Sequence, residues 1–329
     1  MKLLQQISAW LSKETPWFVT AVAVLTFFFP DLFGWVRGNT QTAVLGFIMF
    51  AMGMTLTHED FRILAARPFD IAIGALAQFV LMPFIAFSLA HLMHLPRGVA
   101  VGLILVGSCP GGVSSNIMSF LCKGDVAFSV GLTAVSTLLA PLTTPTLMMW
   151  LAGEMIEIDA IGMFKSVLLV TLTPVALGFL FNHFFGARPA CREVMKTMPG
   201  FAVLALACIV GGVVSAQGQA IVSSGVAIFI AVFLHNGLGY VLGYVAGVLA
   251  RFTKPKRRTV SIEVGMQNAG LATVLATRHF PAAPETAVAA AVSCIWHSIS
   301  GALLAGVFNA LDRYRAAPAC PSRSAAPAR

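Results

Sequence analysis

Charged side chains are scarce in this chain of 329 residues. Only 10% of the residues are Asp, Glu, Lys or Arg, whereas 58% are hydrophobic. A water-soluble domain of this length needs much more polar surface to cover its core. The composition therefore argues against a soluble catalytic domain and favours a protein whose outer surface faces lipid.

Motifs for disulfide, metal or hydrolase chemistry are missing as well. The six cysteines show neither CxxC spacing nor Cys/His ligand spacing, which gives no support to a disulfide framework or a thiolate metal site. No GxSxG element accompanies the serines and histidines of the apolar runs, so a serine hydrolase is not indicated. We expect a protein that is not an enzyme.

Long apolar runs, by contrast, recur along the whole chain. Each is close to the length of about 18 residues or more that lets a helix cross a hydrocarbon core of about 30 Å. The runs predict an all-α membrane protein of ten transmembrane helices with short connections. The ten predicted spans lie near residues 16–35, 41–57, 69–93, 98–121, 125–152, 160–184, 199–216, 221–250, 257–279 and 284–309.

Positive charge collects on one side of these spans. If the N-terminus is cytoplasmic, all but four of the 21 Lys and Arg residues fall in inside segments, and the exceptions are Arg37, Arg97, Lys165 and Arg278. The positive-inside rule then predicts cytoplasmic N- and C-termini, and it explains the net charge of +8 without a nucleic-acid partner. We expect the Pro/Ala-rich end, residues 312–329, to be a disordered cytoplasmic tail.

Two of the spans carry polar, helix-breaking motifs at matching positions. Ten spans divide into two sets of five, and because five is odd the second set enters the membrane in the opposite direction. The fourth span carries CPGGVSSN (109–116), and its counterpart, the ninth, carries EVGMQNAG (263–270). Interrupted spans at equivalent positions of two inverted repeats point to the binding site of a transporter.

Glu263 is the acidic residue of the ninth span, where a carboxylate facing lipid is costly. It must face protein, water or a cation, so three interpretations stand: a buried structural carboxylate, a cation ligand or a proton carrier. Gln267 lies one helical turn further on, and Gly265, Asn268 and Gly270 allow the helix to loosen and expose carbonyl groups. Because hard cations prefer oxygen ligands, this neighbourhood favours the cation.

Other polar side chains interrupt otherwise apolar spans. Singly, each hydroxyl can bond to its own backbone, and each amide or imidazole can be structural, but their clustering favours a binding site. These residues are Gln78 in the third span, Ser114, Ser115 and Asn116 in the fourth, Ser129, Thr133 and Ser136 in the fifth, His235 and Asn236 in the eighth, and His297 in the tenth.

Six segments of the sequence resemble, as whole motifs, the bile acid:sodium symporter family. The matching segments follow one another across nearly the entire chain. They are MFAMGMTL (49–56), VGSCPGGVSSNIM (106–118), SVGLTAVSTLLAPLTTP (129–145), LHNGLGYVLG (234–243), IEVGMQNAGLA (262–272) and WHSISGALLA (296–305).

The resemblance implies two inverted five-helix repeats with discontinuous fourth and ninth helices that cross. It implies a panel domain of spans 1, 2, 6 and 7, in residues 1–65 and 158–218. It also implies a core domain of spans 3–5 and 8–10, in residues 66–157 and 219–311. Transport would then proceed by movement of the core against the panel.

Two sodium sites at the crossing are also implied. The first site would use Ser115, Asn116, Ser129, Thr133 and Glu263, and the second Gln78, Glu263, Gln267 and the carbonyl groups of Val264 and Met266. The substrate would bind beside Val113, Ser114, Asn268, His297 and Ser298. Bacterial members of the family tend to carry Thr in place of Val113 and Asn in place of Ser298, so the substrate is less well defined than the sodium coupling.

The function implied is sodium-coupled import of an organic anion by alternating access across a bacterial inner membrane. The anion would be bile acid-like or a small carboxylate such as pantoate. Expected partners are sodium, the anion and the lipid bilayer, with no nucleic acid and no obligatory protein partner. Two alternatives remain: a proton-coupled or passive anion carrier in which Glu263 is a proton site, and a membrane receptor that binds the anion without moving it.

Overall fold

The computed structural model describes residues 2–112, 114–223 and 225–316, and it is dominated by helices. One 3₁₀ turn, Pro30–Leu32, and one π turn, Leu168–Leu172, accompany the α-helices. In chain order the α-helices are α1 Lys2–Lys13, α2 Thr15–Phe28, α3 Asn39–Thr55, α4 His58–Ala66, α5 Pro68–Leu92, α6 Arg97–Ser108, α7 Ser115–Leu121, α8 Val126–Ala152, α9 Ala160–Val167, α10 Thr173–Phe185, α11 Pro189–Met195, α12 Met198–Ser223, α13 Gly225–Leu249, α14 Lys254–Gly265, α15 Ala269–His279 and α16 Thr286–Ala316.

Six helical segments in the described part of the chain are long and apolar enough to cross a membrane. They correspond to the third, fifth, sixth, seventh, eighth and tenth predicted spans, so the prediction of an all-helical protein with apolar spans is confirmed. The segments are Pro68–Leu92, Val126–Ala152, Ala160–Phe185, Pro189–Val222, Val226–Leu249 and Thr286–Tyr314.

The other four predicted spans contain shorter helices. The first two are occupied by α2 and α3, of 14 and 17 residues. The fourth is divided between α6 and α7, and the ninth between α14 and α15. Both interruptions fall in the predicted motifs, because proline lacks an amide hydrogen and glycine is unfavourable inside a helix.

The two interruptions lie against each other as a short antiparallel bridge. The amide of Gly112 donates to the carbonyl of Met266 at 2.7 Å, and the amide of Asn268 donates to the carbonyl of Pro110 at 2.8 Å. These bonds satisfy backbone groups that the interrupted helices leave without partners, which the interior of a bilayer requires. The two interrupted helices therefore meet at the motifs that the sequence singles out.

Helix α3 packs closely on α10 and also contacts α12, which in turn contacts α2. The α3–α10 crossing depends on two glycines: a Cβ on Gly53 would lie 2.1 Å from the carbonyl oxygen of Val175, and one on Gly178 would lie 2.2 Å from that of Phe50. Such close backbone approach is typical of helix pairs within membranes. A compact unit of α2, α3, α10 and α12 thus faces α15 and α16.

The end of α16 differs from the sequence-based expectation. Residues 312–316, expected to begin the disordered tail, continue the helix. Asp312 holds this turn in place, because its carboxylate pairs with Arg258 at 2.7 Å and with Lys254 at 2.5 Å, both from α14. Residues 317–329 of the expected tail lie outside the described residues.

Candidate functional site

Glu263 lies in α14, two residues before its end, and its side chain is only 3% exposed. Three hydroxyl groups donate hydrogen bonds to its carboxylate. The Oγ of Ser115 is 2.7 Å from Oε1 and the Oγ1 of Thr133 is 2.8 Å from Oε2, while the Oγ of Ser129 also donates to Oε1. Ser115 begins α7, and the other two lie one turn apart on α8, so one carboxylate joins three helices.

Asn116 completes this group. Its Oδ1 lies 2.9 Å from the Oγ of Ser129 and 3.4 Å from the Oγ1 of Thr133, so the structure brings together all five residues of the first predicted sodium site. Sequence reasoning missed Ser119, whose Oγ lies 3.0 Å from that of Ser129. Its position one helical turn after Ser115 was the available signal. The group offers carboxylate, amide and hydroxyl oxygens, which are ligands for a hard cation.

The second predicted set is only partly assembled. Gln78 Nε2 donates to Gln267 Oε1 at 2.5 Å, and Gln267 Nε2 donates to the Val264 carbonyl at 2.7 Å. The Met266 carbonyl instead accepts the backbone bond that joins the two interruptions. The Oε1 of Gln78 is buried and has no hydrogen-bond partner among the described residues. An unsatisfied buried oxygen is unfavourable, and a cation beside it would supply the missing partner.

A cavity of about 200 Å³ adjoins the crossing. Its polar wall comes from the two interruptions and α16 and includes four of the predicted substrate residues, Ser114, Asn268, His297 and Ser298. The fifth, Val113, lies outside the described residues. None of the described residues that line the cavity is Lys or Arg. An anion here would meet neutral dipoles rather than basic side chains.

The opposite wall is apolar and was not identified from the sequence. It is formed by α3 and α12, whose apolar residues resemble ordinary lipid or packing contacts in the sequence. Its members are Leu45, Ile48, Ala51, Met52, Met198, Pro199, Ala202, Val203 and Leu206. The cavity as a whole therefore suits an amphipathic molecule with one polar end.

The polar wall keeps some hydrogen-bonding groups available. Asn268 is the N-cap of α15, with its Oδ1 accepting from the Leu271 amide at 3.0 Å. The positive end of that helix dipole consequently lies at the cavity. His297 Nδ1 is 3.3 Å from the Gln267 carbonyl, and its Nε2 has no partner among the described residues. Ser298, in contrast, donates to the Cys294 carbonyl of its own helix at 3.3 Å.

Other polar residues predicted within the spans support the backbone. Asn236 Nδ2 donates to the Gly265 carbonyl at 2.7 Å, where α14 ends. Ser136 Oγ accepts from the Gly111 amide at 3.3 Å, at the other interruption. His235 Nε2 lies 3.1 Å from the Met82 carbonyl. These contacts favour the structural interpretation for Asn236, Ser136 and His235.

Comparison with known proteins extends this picture. Residues 42–224 match the model of the Sodium Bile acid symporter family. The uncharacterized sodium-dependent transporter YocS of Bacillus subtilis (strain 168) is 42% identical over 305 residues, which cover 93% of this chain and 94% of the relative. A probable chloroplastic sodium/metabolite cotransporter of Oryza sativa subsp. japonica is 40% identical, over 94% of this chain and 75% of the relative. Its counterpart in Arabidopsis thaliana is also 40% identical, over 91% of this chain and 74% of the relative.

Apolar helices around a buried polar site, where two interrupted helices meet beside a cavity, are typical of a membrane transporter. The match over more than half of the chain and the extent of these similarities then identify the particular family. The chain belongs to the sodium bile acid symporter family. It is a multi-pass membrane protein and a transporter rather than an enzyme, and its family membership supports sodium coupling.

Proposed function

We propose that this protein is a sodium-coupled symporter that imports an organic anion by alternating access across a bacterial inner membrane. In this proposal ten transmembrane helices form two inverted five-helix repeats, and both termini are cytoplasmic. One observation carries the proposal: the buried carboxylate of Glu263, surrounded by hydroxyl oxygens, lies where the two interrupted helices meet, and its neighbour Asn116 and the nearby Gln267 line a cavity.

The first sodium site is proposed at Glu263 with Ser115, Asn116, Ser129 and Thr133. A hydroxyl group is both a donor and an acceptor. In the structure the hydroxyl groups donate to the carboxylate. When sodium binds, the same groups turn their lone pairs toward the ion, and the carboxylate balances its charge. One set of side chains thus stabilises the site with and without the cation.

The second sodium site is proposed between Gln78, Gln267 and Glu263, with the carbonyl groups of Val264 and Met266. Gln267 bonds to Gln78 and also lines the cavity. An ion at this site would therefore order part of the surface that contacts the anion. Such a shared residue gives the ion and the anion a coupling free energy, and this coupling is reciprocal.

The proposed substrate is an amphipathic organic anion that contacts Val113, Ser114, Asn268, His297 and Ser298. Its charge is stabilised by the start of α15 and by bound sodium, and its apolar part packs on α3 and α12. A volume of about 200 Å³ is small for a ligand pocket, since pockets usually span about 300–1,000 Å³. The size favours a small carboxylate such as pantoate over a bile acid.

The two sides of the protein differ around the cavity, and this difference supports alternating access in the proposed topology. Thr15, Thr55 and Met198 line it, and they lie at the helix ends that the proposal assigns to the cytoplasm. On the side opposite the cytoplasm, α15 is bonded to α3 and to α9. Thr277 Oγ1 donates to Gln41 Oε1 at 3.2 Å, and His279 Nε2 is 2.9 Å from Ser166 Oγ. Under the proposed topology, these contacts support an inward-facing state of the cycle.

Sodium-dependent uptake in proteoliposomes tests the function. With two sodium ions per monovalent anion, an inside-negative potential of 100 mV supplies about 2.3 kcal/mol per charge, or about 50-fold in accumulation. We expect uptake of labelled small carboxylates to fall to the leak rate when choline replaces sodium at constant pH. Uptake that persists in choline would indicate a proton-coupled or passive carrier, and binding without flux would indicate a receptor.

Filling the cavity tests where the anion binds. Ala202→Phe adds an aromatic ring to the apolar wall, in the space that the apolar part of the anion would fill. We expect sodium-dependent uptake to fall about tenfold or more, because overpacking costs about 1–3 kcal/mol. Initial uptake rates at matched protein amounts provide the measurement. Ala216→Phe, at an exposed position of the same helix, is the control. Equal rates in the two variants would place the anion elsewhere.

A further inference from the structure

Two histidines from different helices meet on the surface, away from the buried site. His58 is the first residue of α4, and His183 lies in the last turn of α10. His58 Nε2 and His183 Nδ1 are 2.7 Å apart, and the ring planes are inclined at 81°. Both residues are exposed. Asn182 Nδ2 donates to the Leu56 carbonyl at 2.8 Å, so the backbone beside the pair is held as well.

The spacing of the two nitrogens indicates which ions the pair can bind. Imidazole nitrogens bind divalent ions at about 2.0–2.1 Å, so neighbouring ligands of a square-planar or octahedral ion stand about 2.9 Å apart, and those of a tetrahedral ion about 3.3 Å. The observed 2.7 Å is the length of a hydrogen bond between the two rings, which a bound ion would replace, and it is closer to the first value than to the second. Cu²⁺ and Ni²⁺ favour that geometry and bind imidazole strongly, whereas structural Zn²⁺ is usually tetrahedral.

The surroundings also suit a cation. Glu59 and Asp60 follow His58 in the first turn of α4. His183 lies at the negative end of the α10 dipole. Arg62 is 3.7 Å from Glu59, but both side chains are well exposed and such a pair contributes little. We propose that His58 and His183 form a two-imidazole binding site for Cu²⁺ or Ni²⁺.

The remaining coordination positions belong to water, because no cluster of three or more His, Cys, Asp or Glu side chains suited to a metal occurs among the described residues. Helix α4 connects α3 to α5 and packs on α8, whereas α10 packs on α3. A bound ion clamps the start of α4 to α10. Both histidines fall in the proposed panel, residues 1–65 and 158–218, so the ion fixes the panel end of the connection to the core. If the protein works by alternating access, as proposed above, a stiffer connection opposes movement of the core and slows transport.

Metal titration of the purified full chain, carrying no polyhistidine tag, tests the site directly. We expect one equivalent of Ni²⁺ to bind by calorimetry, and Cu²⁺ to show two coordinated nitrogens by electron paramagnetic resonance. His58→Gln and His183→Gln should each weaken Ni²⁺ binding about tenfold or more, because the second imidazole acts at high effective concentration. Zn²⁺ should bind more weakly than Ni²⁺. Thermal unfolding without metal checks that the variants fold.

The controls are His91→Gln and His94→Gln, which change two other exposed histidines near the end of α5. Ni²⁺ binding that survives in the His58/His183 double variant, or that falls equally in the control variants, overturns the site. In proteoliposomes Ni²⁺ should slow uptake by the unchanged protein and not by the double variant. Binding without such inhibition overturns the clamp. Since binding is measured in detergent, it stands or falls independently of the transport proposal.

Discussion

Replacing Glu263 with alanine should abolish sodium-dependent uptake, with a loss of about 100-fold or more. The side chain accepts hydrogen bonds from Ser115, Ser129 and Thr133 and supplies the negative charge of the proposed first sodium site. Each hydrogen bond to a charged group is worth about 1.5–3 kcal/mol, and about 1.4 kcal/mol corresponds to a factor of ten. Initial uptake rates measured against sodium concentration give the result.

Two further variants separate the causes of this loss. Glu263→Gln keeps the size and the hydrogen-bond acceptor but removes the charge, so its uptake should also lose its sodium dependence if the charge holds the cation. Glu157→Ala removes an exposed carboxylate from the loop after α8 and should leave uptake unchanged. Full sodium dependence in Glu263→Ala would show that the proposed role of this carboxylate is wrong.

The apolar spans could be predicted because their length and composition are local properties of the sequence. Helices α5 and α8 match the predicted third and fifth spans within a few residues. The first span is less regular than predicted, since α2 ends at Phe28 and the 3₁₀ turn begins at Pro30. Proline fixes its own backbone angle and disfavours helix at the preceding residue, which explains the early end.

The first group of site residues could also be predicted, because a carboxylate and several hydroxyl groups in apolar spans must find one another. The apolar wall of the cavity could not. Met52 and Ala202 are residue types that suit a position facing lipid, a neighbouring helix or a cavity, so the sequence does not distinguish these positions. The hydrogen bond that the Met266 carbonyl accepts from the Gly112 amide could not be predicted either. It depends on how the two interruptions align and not on the sequence of either one alone.

Replacing Gly112 with alanine should impair transport about tenfold or more without removing any polar group. A Cβ at this position would lie 2.9 Å from the Gln267 carbonyl oxygen and 3.3 Å from that of Met266. Both neighbours are backbone atoms, so the interruptions must separate by a few tenths of an ångström, which weakens the 2.7 Å bond between the Gly112 amide and Met266. Small displacements of positioned groups produce losses of this order.

Gly237→Ala is the matched control for this substitution. A Cβ on Gly237, within α13, would meet no atom within 4 Å, and alanine stabilises a helix interior over glycine by about 0.5–1 kcal/mol. Sodium affinity and uptake should therefore both fall in Gly112→Ala and remain unchanged in Gly237→Ala. Equal activity of the two variants would mean that close contact of the interruptions is not needed for coupling. A loss of uptake with unchanged sodium affinity would instead confine their role to the anion, because Gln267 lines the cavity as well as contacting Gln78.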